Sequence, residues 1–474
     1  MSAPAPLPIR DARGDARGPT VVAVRDLGSP PCDDPGALDC VLGEHVRLDL
    51  SGLETFYFRA LEAVEQDLIL LAGAVAFADR KVTRGLGPRW ARNLLVRMPV
   101  LELARWQDRA VVDALQGALE HVTGDRWRFD FVPRRGDRAA QGLLPLRRPL
   151  EGRLSIVPYS GGLDSFAALR LTGADAHLAP VAFTADSSTR LRRLTAATTG
   201  PLLGPYQRVR LPVQLRIGEH AERTCRARTF VFLIAAALTA RLAGAEEVQV
   251  PENGQGSVGL SVLPESGEPP YQGTHPAYTR RLHEFLRALW GEAPAFRHPH
   301  LWDTKADVLR RLRDRGLLAG WEGTRSCSRA MEREKRPGVR AQCGVCPNCL
   351  LRRVALHAAG LSGGEPYVWS RLEATRLAGA LGAGYTDCST AARDHSIALG
   401  AVRDHQTLAE GATARPDRPA FRQAVYETAG ALGLPEADVA ARLGHLLHRH
   451  RDDWATFLAA LPPESWVRRA AGGG

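Results

Sequence analysis

The chain has 474 residues, of which 45% are hydrophobic and 24% charged, and its 62 Lys and Arg against 52 Asp and Glu give a formal net charge of +10. This balance excludes a wholly disordered chain and a collagen-like one, and at about 100–200 residues per domain the length predicts two to four domains. Only three of the basic residues are lysines, Lys81, Lys305 and Lys335. Such an arginine excess is typical either of a phosphate-binding surface or of compositional drift.

Residues 1–42 are rich in Pro, Gly and Asp and predict a disordered N-terminal tail. This tail lacks the apolar core of a signal peptide. The longest apolar stretch, Phe230–Ala240, is shorter than the about 20 residues that a helix needs to cross a bilayer. We therefore expect a cytoplasmic protein that makes no contact with a membrane.

Residues 43–150 predict a small α+β domain. Its expected strands have alternating apolar and polar residues, and they lie at 46–50, 93–100 and 127–132. Its expected helices have apolar residues at three- and four-residue spacing, and they lie at 61–77 and 111–122.

In residues 151–358 the pattern differs, because short continuous apolar runs alternate with helical stretches. This alternation predicts an α/β fold with a doubly wound parallel sheet that is covered on both faces. The expected strands lie at 154–157, 181–184, 209–213 and 248–250, and the clearest helices at 164–171 and 228–242. After them, residues 359–474 are rich in Ala and Leu and predict a helical C-terminal region, with its histidines, among them His405 and His450, on solvated helix faces.

Between the first of these strands and the first helix runs a loop of sequence Ser160-Gly161-Gly162-Leu163-Asp164-Ser165. Two glycines let the backbone turn sharply and approach an anion, and the first turn of the helix directs free N–H groups at it. The serine hydroxyls add donors, and Asp164 lies where it can cap the helix. The loop lacks the lysine of the common nucleotide P-loop and the third glycine of a dinucleotide fingerprint. We interpret it as a phosphate-binding loop; the alternative is a structural Gly-Gly turn.

Four cysteines form a second motif with the spacing C-x15-C-x2-C-x2-C: Cys327, Cys343, Cys346 and Cys349. Four thiolates, three of them in a tight knuckle, are typical of a closed, structural Zn²⁺ site. An iron–sulfur cluster and free buried cysteines are the alternatives. We predict structural Zn²⁺ without a catalytic role.

The glycine loop resembles the pyrophosphate loop of the N-type ATP pyrophosphatases, the PP-loop family, which cleave ATP to AMP and pyrophosphate. Further segments extend the match to 7-cyano-7-deazaguanine synthase and its QueC-like relatives. These segments are Thr304-Lys305-Ala306-Asp307, Ser326-Cys327, Cys343–Arg352 and the helix start at Arg228. The resemblance covers about residues 151–358 and implies a PP-loop, Rossmann-like α/β fold.

The same resemblance implies a ligase that adenylates a carboxylate, that of 7-carboxy-7-deazaguanine, releases pyrophosphate and passes the acyl group to an amine. ATP with Mg²⁺ would be the cofactor, bound by residues 160–165 and Arg228. Asp164, Ser165 and Lys305 would be the catalytic residues. Of these, Lys305 would supply a cation that stabilises the charge that builds on the α-phosphate.

Segments before that match and within it resemble a different subset, the QueC-like proteins of bacterial anti-phage defence operons (Qat and type IV CBASS). They are Asp67–Arg80, Trp90-Ala91-Arg92, Pro99-Val100, residues 124–129, Pro251–Gly254 and Thr274–Pro276. This resemblance implies operon-encoded defence proteins as partners, one of which would supply the amine in place of ammonia. The chain departs from the housekeeping synthase at residues 184–190, where that enzyme has a Tyr-Gly-Gln-Arg stretch.

Three polar residues are candidate substrate contacts. Glu252 and Asn253 follow a predicted parallel strand, where they would bind a purine-like base, and His275 would be a further substrate residue. The alternatives are a helix-capping pair for the first two and a turn residue for His275.

Two other functions stay open. A plain nitrile-forming synthase would use the added regions for assembly only. A non-catalytic nucleic-acid-binding or scaffold protein would use the arginine excess, but no basic block interleaved with aromatics occurs, and a scaffold needs no pyrophosphate loop. We therefore expect an enzyme that binds ATP and a 7-deazaguanine-type small molecule, without direct nucleic-acid binding.

Overall fold

The computed structural model describes residues 18–48, 60–85, 90–134, 153–184, 208–210, 213–216, 221–222, 224–263, 270–328, 341–361, 366–383, 385, 392–411 and 418–472. Within these ranges the chain forms two parallel β-sheets, one two-stranded antiparallel sheet and the helices around them, so the fold is mixed α/β. No helix in these ranges is long and apolar enough to cross a membrane.

The first sheet has four parallel strands, which in spatial order are β2 (Leu38–Val41), β1 (Thr20–Arg25), β4 (Asn93–Val100) and β5 (Arg126–Pro133). The disordered tail predicted over 1–42 is therefore wrong for β1 and β2, while residues 1–17 lie outside the described ranges. Val22, Ala23 and Val24 of β1 are buried, and strands pair with β1 on both sides. The parallel pairing also corrects the α+β class predicted for residues 43–150.

Three helices belong to this first region: α1 (Ala63–Lys81), α2 (Leu103–Trp106) and α3 (Arg109–Thr123). Helix α1 packs against β4, and α3 packs against β5. The strands predicted at 93–100 and 127–132 and the helices predicted at 61–77 and 111–122 are confirmed.

The second sheet has five parallel strands, which in spatial order are β11 (Ala295–Arg297), β10 (Glu247–Gln249), β6 (Arg153–Tyr159), β7 (Leu178–Thr184) and β8 (Arg208–Arg210). Helix α4 (Leu163–Gly173) follows β6, and helix α5 (Arg228–Ala243) precedes β10. The strands and helices predicted for this region are confirmed, except that the run 209–213 is divided between two sheets. Its second part begins β9 (Val213–Leu215), which pairs antiparallel with β3 (Val46–Leu48).

One continuous hydrophobic core extends from the first sheet to the second. It contains Val96 of β4, Leu71 of α1, Ile234 of α5 and Ile156 of β6, all of them fully buried. Helix α1 packs directly against α5, so the two sheets are joined through a helix–helix contact.

The other helices, in chain order, are α6 (Gly254–Ser257), α7 (Pro276–Trp290), α8 (Lys305–Asp314), α9 (Pro347–Ala358), α10 (Ala392–Gly411), α11 (Pro419–Leu432), α12 (Glu436–Ala459) and α13 (Trp466–Gly472). The helical C-terminal region predicted from composition is confirmed by α10 to α13. Helix α12 packs against α10 and α11, and it also contacts α9 and the short α6 that follows β10. The C-terminal helices thus lie against the carboxyl edge of the second sheet.

Candidate functional site

The candidate site lies at the carboxyl ends of two neighbouring strands. The glycine loop follows β6, and Glu252 and Asn253 follow β10, which pairs with β6 in parallel. From β6 the sheet continues to β7 and β8 on one side, and to β10 and β11 on the other. The loop and the Glu-Asn pair therefore flank the point where the strand order reverses, which is where open parallel sheets bind ligands.

The two glycines of the loop allow a close approach of the backbone. Gly161 has a φ of +75°, a conformation that other residues rarely adopt. Its carbonyl accepts a hydrogen bond from the Arg325 N–H (2.8 Å), and a Cβ on Gly162 would lie 3.2 Å from the Arg325 carbonyl oxygen. The loop thus lies against the segment that leads to Cys327, so these glycines also have a structural role.

The serines of the loop are arranged differently. Ser165 Oγ donates to the Gly162 carbonyl (3.0 Å) and accepts from the Ser160 N–H (3.3 Å), which closes the turn. Ser160 is exposed, whereas Ser165 and the neighbouring Leu163 are buried. Ser160 is therefore the loop hydroxyl that is accessible to a ligand.

Asp164 connects the loop to two distant segments. It forms an ion pair with Lys305, the first residue of α8, and its Oδ1 accepts from Asn253 Nδ2 (2.9 Å). The Lys305 side chain is 5% exposed and Asn253 is fully buried. Burial acts to raise the pKa of Asp164, but Lys305 and then Asn253 outweigh it and hold that pKa below its ordinary value. The structure thus brings together three predicted site residues from three separate parts of the chain.

Glu252 adds a second carboxylate to this group. Its Oε1 accepts from Asn253 Nδ2 (2.6 Å) and from the Asn253 backbone N–H (3.3 Å), so the Asn253 amide group bridges Glu252 and Asp164. Burial, and then the charge of Asp164, raises the pKa of Glu252 to about 7, although Lys305 opposes this rise. The two carboxyl groups therefore differ: Asp164 is ionised at neutral pH, while Glu252 gains or loses a proton there.

Local capping explains why Asn253 and Lys305 lie where they do. Asn253 Oδ1 accepts from the Gly256 N–H (3.2 Å) and caps α6, as the capping alternative predicted. Thr304 Oγ1 accepts from the Asp307 N–H (3.1 Å), and Asp307 Oδ2 accepts from the Thr304 N–H (2.9 Å). This reciprocal capping box fixes the start of α8 and with it the position of Lys305.

Two residues that the sequence interpretation missed support this arrangement. Gln255 Oε1 accepts from the Lys305 backbone N–H (2.8 Å), and its amide nitrogen bonds to Nδ1 of His450 (2.7 Å). His450 Nε2 bonds in turn to the His405 carbonyl (3.0 Å). With Nδ1 accepting and Nε2 donating, His450 is neutral, and burial lowers its pKa to about 4.

The prediction of solvated histidines is wrong for His405 and His450, which are buried. His405 lies against His450 and Trp454, with ring centroids 5.5 Å from each, and burial lowers its pKa to about 3. A signal was present in the sequence, because His450 follows Leu446 by four residues and precedes Trp454 by four. That spacing places His450 on the apolar face of α12.

The four predicted cysteines form a candidate metal centre. The sulfur atoms of Cys327, Cys343, Cys346 and Cys349 all lie within 4.8 Å of one another. Three of the cysteines are buried, in a hydrophobic cluster, and backbone N–H groups point at two of the sulfurs. A set of four thiol groups at this separation can hold a metal ion and is consistent with structural zinc.

Two predicted site residues have other contacts. Arg228 is exposed, its guanidinium lies 5.6 Å from the Phe232 ring centroid, and among the described residues no contact joins it to the glycine loop. His275 is a fully buried N-cap of α7, in which Nδ1 accepts from the Ala277 N–H (3.1 Å) and Nε2 bonds to Thr428 Oγ1 (3.2 Å). Because both ring nitrogens of His275 are occupied, we do not carry it into the proposed site.

Comparison with known proteins gives no match: no protein family, no curated protein and no solved structure is similar to this chain at a significant level.

Proposed function

We propose that the protein is an ATP-dependent enzyme of the QueC-like type, which adenylates a carboxylate, releases pyrophosphate and passes the acyl group to an amine. The observation that carries the proposal is the Lys305–Asp164 ion pair beside a glycine loop, at the point where the parallel strand order reverses. A nearly buried cation next to an anion-binding turn suits the transfer of a nucleotidyl group, because charge on the α-phosphate increases in the transition state.

Each part of the site has a role in this proposal. The exposed Ser160 and the first N–H groups of α4 would bind the pyrophosphate portion of ATP. Asp164 would hold the Lys305 ammonium in a fixed position, from which it stabilises the α-phosphate. Mg²⁺ carried with ATP would screen the phosphate charges.

The cysteine cluster would act structurally. Zn²⁺ held by the four thiolates would have no open coordination position for a substrate. It would instead fix the segment that carries Cys327, in which Arg325, two residues earlier, is hydrogen-bonded to the loop glycine Gly161.

The identity of the substrates rests on the sequence resemblance. It favours 7-carboxy-7-deazaguanine as the carboxylate and, through the segments shared with anti-phage defence proteins, an amine of an operon-encoded partner as the acceptor. Ammonia is the acceptor in the alternative, housekeeping-type synthase, which goes on to release a nitrile.

The direct test is ATP–pyrophosphate exchange in the presence of 7-carboxy-7-deazaguanine. We expect exchange in the wild-type protein and a loss of about 100-fold or more in Asp164→Asn. Ser165→Ala should also lower exchange, because it removes the hydroxyl that closes the turn of the loop. The matched control is Asp175→Asn, because Asp175 is exposed and follows the opposite end of the same helix. A wild-type protein without exchange, or Asp164→Asn as active as the control, would refute the proposal.

A second assay distinguishes the acceptors. The protein is incubated with ATP, 7-carboxy-7-deazaguanine and either ammonia or the co-expressed operon proteins, and the products are identified by mass spectrometry. A covalent adduct on a partner supports protein acylation, whereas release of the nitrile supports the housekeeping-type reaction.

A further inference from the structure

The contacts of Glu252 distinguish its two carboxylate oxygens. Oε1 is fixed by the two hydrogen bonds from Asn253, whereas Oε2 has no hydrogen-bond partner among the residues that the structure describes. The side chain lies against Gly256, where a Cβ would come within 2.6 Å of Oε1. Glu252 is therefore held at one oxygen and open at the other.

We propose that Glu252 is the proton acceptor for the incoming amine in the acyl-transfer step. This inference rests on the proposed function and deepens it, since it assigns the second half-reaction to a residue that the first does not need. In place of the purine contact expected from the sequence, Glu252 presents Oε2 to the amine.

Two charged groups face Glu252 from neighbouring elements, and they make it suited to this role. Asp164 on α4 and Lys305 on α8 form an ion pair, so the cation is already matched by one carboxylate. Burial, and then the charge of Asp164, raises the pKa of Glu252 to about 7, because Lys305 opposes this rise only in part. A base whose pKa is near the working pH both accepts a proton and gives it up again.

The step balances as follows. An ammonium group loses one proton to Glu252 Oε2, which exposes the nitrogen lone pair. The nitrogen forms a bond to the acyl carbon of the acyl-adenylate, the bond from that carbon to the AMP oxygen breaks, and AMP leaves with the electron pair. The second proton on nitrogen passes to water, and Glu252 later releases its own proton.

Asp164 cannot take this role as well. Lys305 and the Asn253 amide hold its pKa below the ordinary value, so it is a weak base at neutral pH. The single amide of Asn253 therefore joins two carboxylates with different tasks, one that anchors a cation and one that exchanges a proton.

The test measures adenylation and acyl transfer separately in the variant Glu252→Gln. This variant keeps the oxygen that accepts hydrogen bonds from Asn253. We expect amide formation to fall by about 100-fold or more relative to ATP–pyrophosphate exchange. We also expect the rise of the amide-forming rate near pH 7 to disappear. Hydroxylamine, which is unprotonated at neutral pH, should restore acyl transfer as hydroxamate. Glu246→Gln is the matched control, because Glu246 precedes the other end of β10 and is 80% exposed.

A second variant addresses placement without changing the carboxylate. Gly256→Ala should displace Glu252 and should lower amide formation more than exchange. If Glu252→Gln lowers both half-reactions equally, or if hydroxylamine gives no rescue, the inference is overturned. A wild-type protein that lacks exchange would instead refute the proposed function itself.

Discussion

The carboxyl of Glu252 should reduce the stability of the folded chain at neutral pH. Its pKa is about 7 in the folded protein against an ordinary value of 4.5. The folded state therefore binds a proton more tightly than the unfolded state, and stability falls as the pH rises from about 4.5 to about 7. Glu252→Gln removes this dependence, because glutamine has no proton to lose and keeps the Oε1 acceptor.

The magnitude follows from the pKa difference. One pKa unit corresponds to about 1.4 kcal/mol, so ionising Glu252 in the folded chain costs up to about 3 kcal/mol at pH 8. At pH 5 the carboxyl is still protonated in the folded state, and the cost is below about 1 kcal/mol. We therefore expect Glu252→Gln to gain about 2 kcal/mol of stability relative to wild type between pH 5 and pH 8.

The assay is urea unfolding followed by tryptophan fluorescence at pH 5 and pH 8. Wild type, Glu252→Gln and the exposed control Glu246→Gln are compared at both pH values. The control should show no pH-dependent gain. If the difference between Glu252→Gln and wild type is the same at both pH values, Glu252 does not have a raised pKa, and the proton-acceptor argument fails with it.

Three further substitutions test the surroundings of the site. Gly254→Ala should lower the free energy of unfolding in urea by about 1–3 kcal/mol, because its Cβ would lie 2.2 Å from a backbone carbonyl oxygen. Gly444→Ala, with no neighbouring atom within 4 Å, should raise it by about 0.5–1 kcal/mol. Equal effects of the two substitutions would contradict this packing. His450→Leu leaves the Gln255 amide without a partner, so it should lower the stability of the fold by about 1–3 kcal/mol and slow ATP–pyrophosphate exchange. His450→Asn, whose Oδ1 replaces Nδ1 as acceptor, should restore most of the stability and most of the exchange rate. Equal defects in the two variants would exclude a role of His450 in positioning Gln255. Cys346→Ser should abolish stoichiometric zinc and lower the melting temperature, measured by elemental analysis and calorimetry; one full equivalent of retained zinc would contradict a four-thiolate site.

Local patterns were sufficient for the parts of the site that are continuous in sequence. The apolar run of β6, the glycine turn and the start of α4 follow one another directly, so periodicity and turn residues predict all three. The cysteine knuckle is equally local, because three of its four ligands fall within seven residues of one another. Even Glu252 and Asn253 could be placed, since the carboxyl ends of parallel strands share one edge of a sheet.

Composition over a long window misled the interpretation of the N-terminal residues. Pro, Gly and Asp dominate residues 1–42 as a whole, and this average hid the six-residue strand β1 with its sequence TVVAVR. The strand is stable because β2 and β4 pair with it on both sides, and neither pairing can be read from the strand itself. A short apolar run such as TVVAVR therefore predicts a strand even within a polar stretch.

The support of Lys305 could not be predicted for a different reason. Gln255 and His450 are 195 residues apart in sequence, and their hydrogen bond exists only because α12 packs against α6. Helical periodicity could place His450 on a buried face, but it could not identify the amide that the ring contacts. Long-range packing decides such pairs, and no local pattern encodes them.

The arginine Arg92 and the lysine Lys305 have different roles, one in the fold and one in the proposed site. Arg92 is a scaffold residue: it is buried, and its Nη2 donates to the carboxylates of both Asp79 and Asp125. Lys305, by contrast, presents a compact ammonium to a single carboxylate at the loop. An ammonium held by one partner keeps donors for a phosphate, whereas a guanidinium committed to several acceptors does not. Arg92 is thus a structural residue, and Lys305 is the basic residue on which the proposed chemistry depends.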